Sequence, residues 1–313
     1  ISIIVLSYNH FDKTTFPCLE SLKSWFDDDI YEFIIFDNAS NDCSGKLVAE
    51  WCSKYQSVRF VQNATNLGYS GGMNEAAKLA NGTWLFLVNN DTEFPRYSLD
   101  SLKSVLFNAP NNVAMIGPVS NSAGNGQRLY DPTKTKNQWL ETGAWLNENP
   151  TGMLLPTYRC DFFCIAIRKI AWEELNGLEA EFGLGYFEDF DFSMRVRAAG
   201  YEQVITEDVF IYHQGSATFS SEKNIKKLIN KNKKIIKSKY PKIKFKHSRY
   251  NNYEILKFFM AREHTIYNDA LKNRIEARLM SMRYDLPKSF FKKLFWKYRQ
   301  TIMIKNFKES FET

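Results

Sequence analysis

NATNLGYSGGMNEAAKLANGTWLFLVNND, residues 63–91, is the stretch whose reading decides the fold. A Gly-rich loop leads into a helix-forming run that ends at Gly82, and the apolar run Trp84 to Val88 follows directly. Asn89, Asn90 and Asp91 stand where that run stops. A helix feeding a nearly continuous apolar strand is the repeating unit of a parallel sheet covered on both faces. The same unit recurs on either side. Upstream, ISIIVLSYN and YEFIIFDNAS read as strands, the first running into Ser7–Asn9 and the second stopping at Asp37, with an amphipathic helix over 16–26 between them. Gly45 to Tyr55 places Leu47, Val48, Trp51 and Cys52 on one helical face, and Ser57 to Val61 is a short third strand. Downstream, Tyr97 to Asn108 reads as a helix and NVAMIGPVS as a fifth strand. This alternation predicts an open α/β sheet.

Two common nucleotide-binding loops are missing. SYNHFD stands where a G-x-G-x-x-G would follow the first strand, and no G-x-x-x-x-G-K-[ST] occurs, which argues against a standard NAD fold and a P-loop enzyme. From Ser120 to Pro156, Gly, Asn and Pro are dense, so a long variable loop or small hairpin near the substrate is expected. CDFFCIAIRK is a further strand, Ala171 to Asn176 a short helix, and Glu188 to Ala199 a helix ended by Gly200. Tyr201 to Val204 and Val209 to Tyr212 read as two short strands, the second running into His213.

The 313 residues are 44% hydrophobic and 24% charged, as in an ordinary soluble globular protein, and no apolar run is long enough to span a bilayer. Five cysteines without a metal-ligand array read as reduced thiols of a cytosolic protein. The chain opens on a strand with neither a secretory pattern nor an initiator Met, so a processed chain or a piece of a longer one is expected. Charge is split sharply: residues 1–220 carry 16 Lys+Arg against 27 Asp+Glu, residues 221–313 carry 25 against 8. The step, just after HQGSATFS, predicts a domain of residues 1–220 and a basic, mostly helical extension of residues 221–313, with helices over 253–260, 265–282 and 288–307. Its Lys and Arg are interleaved with Ile, Leu and Phe and form no nucleic-acid module, so no nucleic acid is expected as partner. An anionic membrane surface, a polyanionic acceptor and a partner protein all suit it. The expected location is cytoplasmic, with peripheral contact at the inner face of the cell membrane through this extension.

In open α/β sheets ligands lie beyond the carboxyl ends of the strands. Ser7–Tyr8–Asn9, Asp37–Asn38, Asn66 to Gly72, and Asn89 to Asp91 all fall at such ends, so one crevice lined by them is expected. Asp37 can accept from a base or ribose and Tyr8 offers an aromatic face. Asp91 is the leading ligand for a hard divalent ion shared with a diphosphate, and His213 can complete the shell, more naturally for Mn²⁺ than Mg²⁺. GYFEDFDFSMRVRAAGYE, residues 185–202, packs Glu188, Asp189 and Asp191 at a helix start, and capping alone needs fewer carboxylates. Glu188 and Asp191 share a face at i and i+3, and Asp189 is the candidate general base. Arg195 and Arg197 are placed to brace the acids or bind phosphate.

These residues resemble the family 2 glycosyltransferases of GT-A fold, over about residues 1–220. The opening Ile3 to Asn9 strand, Asp37, the N-x-G-x-x-x-x-x-N segment Asn66 to Asn74, Asn89-Asn90-Asp91 in the place of D-x-D, Phe187-Glu188-Asp189-Phe190-Asp191 with Arg195 and Ala199-Gly200-Tyr201, and His213 with Gly215-Ser216 carry the likeness in order. The resemblance implies a nucleotide-diphospho-sugar transferase-like, mostly parallel sheet with helices on both faces. It implies a UDP- or dTDP-sugar donor held by Ser7, Tyr8, Asn9, Asp37, Asn66, Gly68, Asn74, Asn90 and Glu188. It further implies Mn²⁺ or Mg²⁺ on Asp91 and His213, with Asp189 as base of an inverting transfer to a glycan, lipid-linked or protein acceptor. The family's commonest setting is bacterial surface-polysaccharide or glycoprotein assembly. The first Asp of D-x-D is Asn89 here, which leaves metal binding chiefly to Asp91. A nucleotidyltransferase and a non-catalytic carbohydrate- or partner-binding module are the rival readings.

Overall fold

The computed structural model describes residues 1–215, 222–243, 247–261 and 269–311. The expected chain boundary at Ser220, the expected helix start at Thr265 and Ser216 of the H-x-x-G-S segment lie outside these residues. The first half alternates strand and helix: β1 (Ser2–Ser7), α1 (Phe16–Lys23), β2 (Glu32–Asp37), α2 (Ser44–Cys52), β3 (Val58–Gln62), α3 (Gly68–Ala77) and β4 (Trp84–Asn89). Then come β5 (Thr92–Glu93), α4 (Ser98–Phe107), β6 (Val113–Val119), α5 (Lys136–Glu148), β7 (Leu154–Pro156), β8 (Cys164–Arg168) and α6 (Lys169–Glu174). They are followed by α7 (Glu188–Ala198), β9 (Glu202–Phe210) and β10 (Tyr212–His213).

The main sheet has the order β3-β2-β1-β4-β8-β6-β9-β7. Strands β3, β2, β1 and β4 are parallel, β8 is antiparallel to both β4 and β6, β9 is parallel to β6, and β7 is antiparallel to β9. Alternation along each strand feeds two cores. Ile3, Val5, Phe33, Ile35, Phe86 and Val88 pack with α1, α2 and α4 on one face. Ile4, Leu6, Ile34, Phe36, Leu85 and Leu87 pack with α3, α6 and α7 on the other. Burial on both sides explains why the strands are unbroken apolar runs. The fold is the GT-A fold, a mostly parallel sheet with helices on both faces and a C-terminal helical region.

Two local expectations change. The segment 120–156 is not only loop: it holds α5, whose Thr135 and Gln138 form a reciprocal capping box. Few apolar residues mark this helix, because it packs chiefly through Trp139, stacked on Phe210 at 5.8 Å, and Leu146. Gly143 lets the helix approach closely, for a Cβ there would collide with Phe210 and Pro95. The two short strands expected after Gly200 are one nine-residue strand, β9. Its middle, Thr206-Glu207-Asp208, reads as a polar break but is fully buried. Arginines from far along the chain neutralise it.

Those arginines lie in the C-terminal helices α8 (Glu222–Lys239), α9 (Ser248–Met260), α10 (Asp269–Tyr284) and α11 (Phe290–Phe311). Arg278 Nε meets Glu207 Oε1 at 2.7 Å, and an Arg274 terminal nitrogen meets Asp208 Oδ1 at 3.0 Å. Ile255, Leu256, Phe259, Leu271, Ile275 and Trp296 share one core with Val119, Ile205 and Phe210 of the sheet.

Candidate active site

A cavity of about 680 Å³ opens at the carboxyl ends of β1, β2 and β4. The structure brings Tyr8, Asn66, Gly68, Asn90, Asp91, Glu188, Asp189 and His213 to its walls. The other candidates do not line it. Ser7 is buried beneath, with its hydroxyl 3.3 Å from that of Thr15. Asn9, in the left-handed region at φ 55°, ties its loop to Ser40 and Asn41. Asp37 is fully buried and accepts from the Ser40 backbone N–H at 3.1 Å and, more distantly, from Gln62. Asn74 holds both the N–H and the carbonyl of Leu178 at 2.8 Å, so it anchors the loop before α7. Asp91 and His213 are joined by a two-stranded antiparallel ribbon, β5 with β10, in which His213 pairs with Thr92.

That ribbon sets His213 Nε2 3.3 Å from Asp91 Oδ1. Nδ1 lies 2.8 Å from the Ser122 carbonyl, which can only accept, so Nδ1 carries the hydrogen. Asn121 clamps the His213 backbone through both its N–H and its carbonyl, and Phe163 stacks on the ring. Nε2 therefore presents either a lone pair or a proton to a buried carboxylate. Burial opposes charging the imidazole, yet the Asp91 carboxylate outweighs it and raises the affinity of His213 for a proton. The same environment suits a cation. Two ligands each about 2.1 Å from one octahedral ion stand about 3 Å apart, which the Asp91–His213 spacing fits. Among the described residues no group of three or more His, Cys, Asp and Glu converges on one point, so this pair leaves most of an ion's shell to other ligands.

The second cluster is built by a strained turn. Gly185, Tyr186 and Phe187 have φ of 137°, 69° and 77°, and α7 starts immediately after them. Two consecutive non-Gly residues in the left-handed region cost stability and persist only where the surroundings impose them. Here Asn232 of α8 imposes them in part: its side-chain amide donates to the carbonyls of Phe182, Gly185 and Tyr186. The turn sends both Glu188 and Asp189 to the cavity, and the i, i+3 partner Asp191 away from it. Asp191 is buried against Arg195 at 2.8 Å, Lys239 at 2.8 Å and the Tyr240 hydroxyl at 3.0 Å. Arg195 also donates to the carbonyls of Leu175 and Gly177, so it braces the helix start. Arg197 is exposed.

Burial pushes the Asp189 carboxyl up to about 6, although the Arg159 guanidinium pulls it down. Burial and the neighbouring charge of Asp189 push Glu188 up to about 8. Among the described residues, Glu188 Oε2 is buried and without a hydrogen-bond partner, as is Arg159 Nε. Near neutral pH this pair presents one carboxylate and one carboxylic acid to the cavity.

Several residues at the site are not among the sequence candidates. Arg159 and Asp161 line the cavity and pair at 3.0 Å, and the Gly124 N–H donates to Asp161. Their only local signal is two charges in YRCDFF just before an apolar strand. Asn38, expected with Asp37 at the end of β2, does line the cavity and orders the Asn66–Gly68 loop through its amide. Ile229 of α8 reaches the cavity as well. Gly68 is irreplaceable by geometry: its φ is +68°, and a Cβ would collide with the Gly183 carbonyl.

The sequence profile described as Glycosyl transferase family 2 matches residues 2–175. A poly(ribitol-phosphate) beta-glucosyltransferase of Bacillus spizizenii is 32% identical over 93 residues, 29% of this chain and 14% of that protein. An uncharacterized glycosyltransferase of Methanocaldococcus jannaschii is 25% identical over 91 residues, 29% of this chain and 31% of that one. The matched stretches thus span less than a third of either relative. Among solved structures, a mannosyltransferase of Pyrobaculum calidifontis in complex with GDP-Man and Mn²⁺ superposes with a TM-score of 0.55 at 16% identity, covering 100% of this chain and 87% of that one. S. aureus TarS 1–349 in complex with UDP-GlcNAc superposes with a TM-score of 0.51 at 16% identity, covering 99% and 90%.

Proposed function

This chain belongs to glycosyl transferase family 2, and from that footing we propose that it moves a sugar from a UDP- or dTDP-linked donor to an acceptor hydroxyl with inversion at the anomeric carbon. The acceptor is a growing glycan, a lipid-linked glycan or a glycoprotein. One observation carries the reading: Asp91 with His213, and Asp189 with Glu188, line the same cavity. Nucleotide-sugar ligands in the two solved relatives support the donor class.

Asp189 takes the acceptor proton as the acceptor oxygen attacks the anomeric carbon, and the bond to the diphosphate breaks on the opposite side. Glu188, held as an acid, donates a hydrogen bond to a donor hydroxyl or phosphate oxygen. Asn66, Gly68, Asn90 and Tyr8 line the nucleotide side, while Ser7, Asn9, Asp37 and Asn74 hold the loops in which these residues lie. Asp91 and His213 would hold Mn²⁺ or Mg²⁺. That ion would supply Lewis-acid neutralisation of the charge on the departing diphosphate.

A panel of UDP-, dTDP- and GDP-sugars with Mn²⁺, read as released nucleotide, tests this. A UDP- or dTDP-sugar is the expected substrate, and chelation by EDTA stops turnover. His213→Ala raises the Mn²⁺ requirement at least about tenfold. Turnover of a nucleoside triphosphate to pyrophosphate, or no turnover of any sugar nucleotide, rejects the proposal.

The pH profile gives a separate check. A base must be ionised, so kcat/KM should fall as pH drops through about 6, where Asp189 takes up its proton. Arg159→Gln removes a positive charge that favours the carboxylate, which moves that acid limb to higher pH, and Arg159→Lys moves it less. An acid limb at the same pH in all three proteins would separate Arg159 from Asp189.

A further inference from the structure

Helix α11 has two apolar faces, and among the described residues only one is covered. Trp296 and Met303, seven residues apart, are buried in the core shared with α9 and α10. On the other side Phe290, Leu294 and Tyr298 form one i, i+4 row, and Phe291 and Phe295 form the adjoining row. These five side chains are between 55% and 80% exposed, and Ile302 extends their stripe. So much contiguous aromatic surface on one helix marks a contact surface. Exposed Lys293 and Lys297 border it on one side, and exposed Lys292 borders it on the other. The segment 221–313 around it carries 25 Lys+Arg against 8 Asp+Glu. Among the described residues, no helix is long and apolar enough to cross a membrane.

We propose that this face of α11 lies in the plane of an anionic membrane surface, with Phe290, Phe291, Leu294, Phe295 and Tyr298 in the headgroup–acyl boundary and the flanking lysines on the lipid phosphates. Charge complementarity selects this occupant. A face flanked on both sides by lysine, in a region of strong positive excess, repels a second copy of itself and attracts anionic headgroups. Lysine stems lie along the apolar stripe while their ammonium groups stay at the phosphate level. Large aromatic rings flanked by Lys are the pattern of an interfacial helix. The inference stands apart from the choice of donor, because no residue of the stripe lines the cavity.

Flotation of the full chain tests it, with vesicles of phosphatidylcholine alone and of phosphatidylcholine mixed with phosphatidylglycerol in equal parts. The chain should float with the mixed vesicles and not with the neutral ones. Phe291→Ser/Phe295→Ser should cut that binding at least about tenfold, as should the charge reversal Lys292→Glu/Lys293→Glu/Lys297→Glu. Both variants alter exposed side chains only, so thermal unfolding and donor turnover should match the parent protein. Failure of the parent chain to float, or flotation equal in both vesicle types, overturns the proposal. So does wild-type binding by both variants. A parent dimer in sedimentation velocity that the Phe291→Ser/Phe295→Ser change dissolves assigns the face to a second copy and overturns it equally.

Discussion

Asp189→Asn should lower turnover by about 10³-fold while donor affinity stays within a few-fold of the parent protein. The amide has the carboxylate's shape, and its oxygen can still accept the Phe190 N–H that Asp189 accepts at 2.7 Å. What it loses is the capacity to take a proton. The neighbouring Glu188→Gln should be far milder, because burial and the charge of Asp189 favour the neutral form of Glu188, which the amide imitates. The contrast identifies which of two adjacent carboxyls acts as base. Steady-state rates with calorimetric donor binding measure it. Near-parental turnover in Asp189→Asn, or the two variants exchanging their effects, would remove Asp189 from the role.

Arg278→Met should destabilise the fold by about 3–5 kcal/mol. Arg278 and Glu207 are both buried, and the guanidinium also donates to Asn252 and to the Arg128 carbonyl. Without it, Glu207 is an unpaired charge inside the molecule. Replacing both partners, as Arg278→Met/Glu207→Leu, should restore most of the loss, because desolvating the pair offsets much of its attraction. Chemical denaturation reads both values. A double variant no more stable than Arg278→Met would mean that the pair does more than cancel charge. The same contacts bear on cutting the chain after residue 220. The basic extension supplies the arginines that neutralise β9, half of a shared apolar core, and Asn232 at the turn before α7. The division at residue 220 is proposed as one of composition and role, with both parts unfolding together. A soluble 1–220 fragment that binds donor as tightly as the whole chain would refute this.

Much of the sheet and of the polar cavity wall at its strand ends was legible in the sequence because its information is local. Apolar runs covered on both faces, helices between them and polar residues at strand ends need only the order of neighbouring residues. Thus β1 to β4 and the start of α7 stand where the periodicity puts them, while α3 begins at Gly68, inside the expected Gly-rich loop, and ends at Ala77, short of Gly82. Glu188 and Asp189 were visible together for the same reason. The i, i+3 argument, however, grouped Glu188 with Asp191, while the left-handed turn at Tyr186–Phe187 directs Asp189 to the cavity instead.

What only the tertiary structure decided is how charges distant in the chain are brought together, including the Asp91–His213 pair already expected to share an ion. Asp91 and His213 meet because β5 pairs with β10, and Arg159, in the segment before β8, comes within electrostatic influence of Asp189 at the start of α7. Glu207 and Asp208 looked like a break in a strand, since no nearby residue neutralises them, and the arginines that do so lie more than 60 residues further on. The sequence by itself determined the α/β sheet, the family motifs and the basic excess of the last 93 residues. Backbone periodicity is set within a few residues, so one dimension suffices to read it. Burial of a charge is a property of what surrounds it in three dimensions, so the neutralised strand, the exposed face of α11 and the tuned carboxyl pair became readable only in the folded chain.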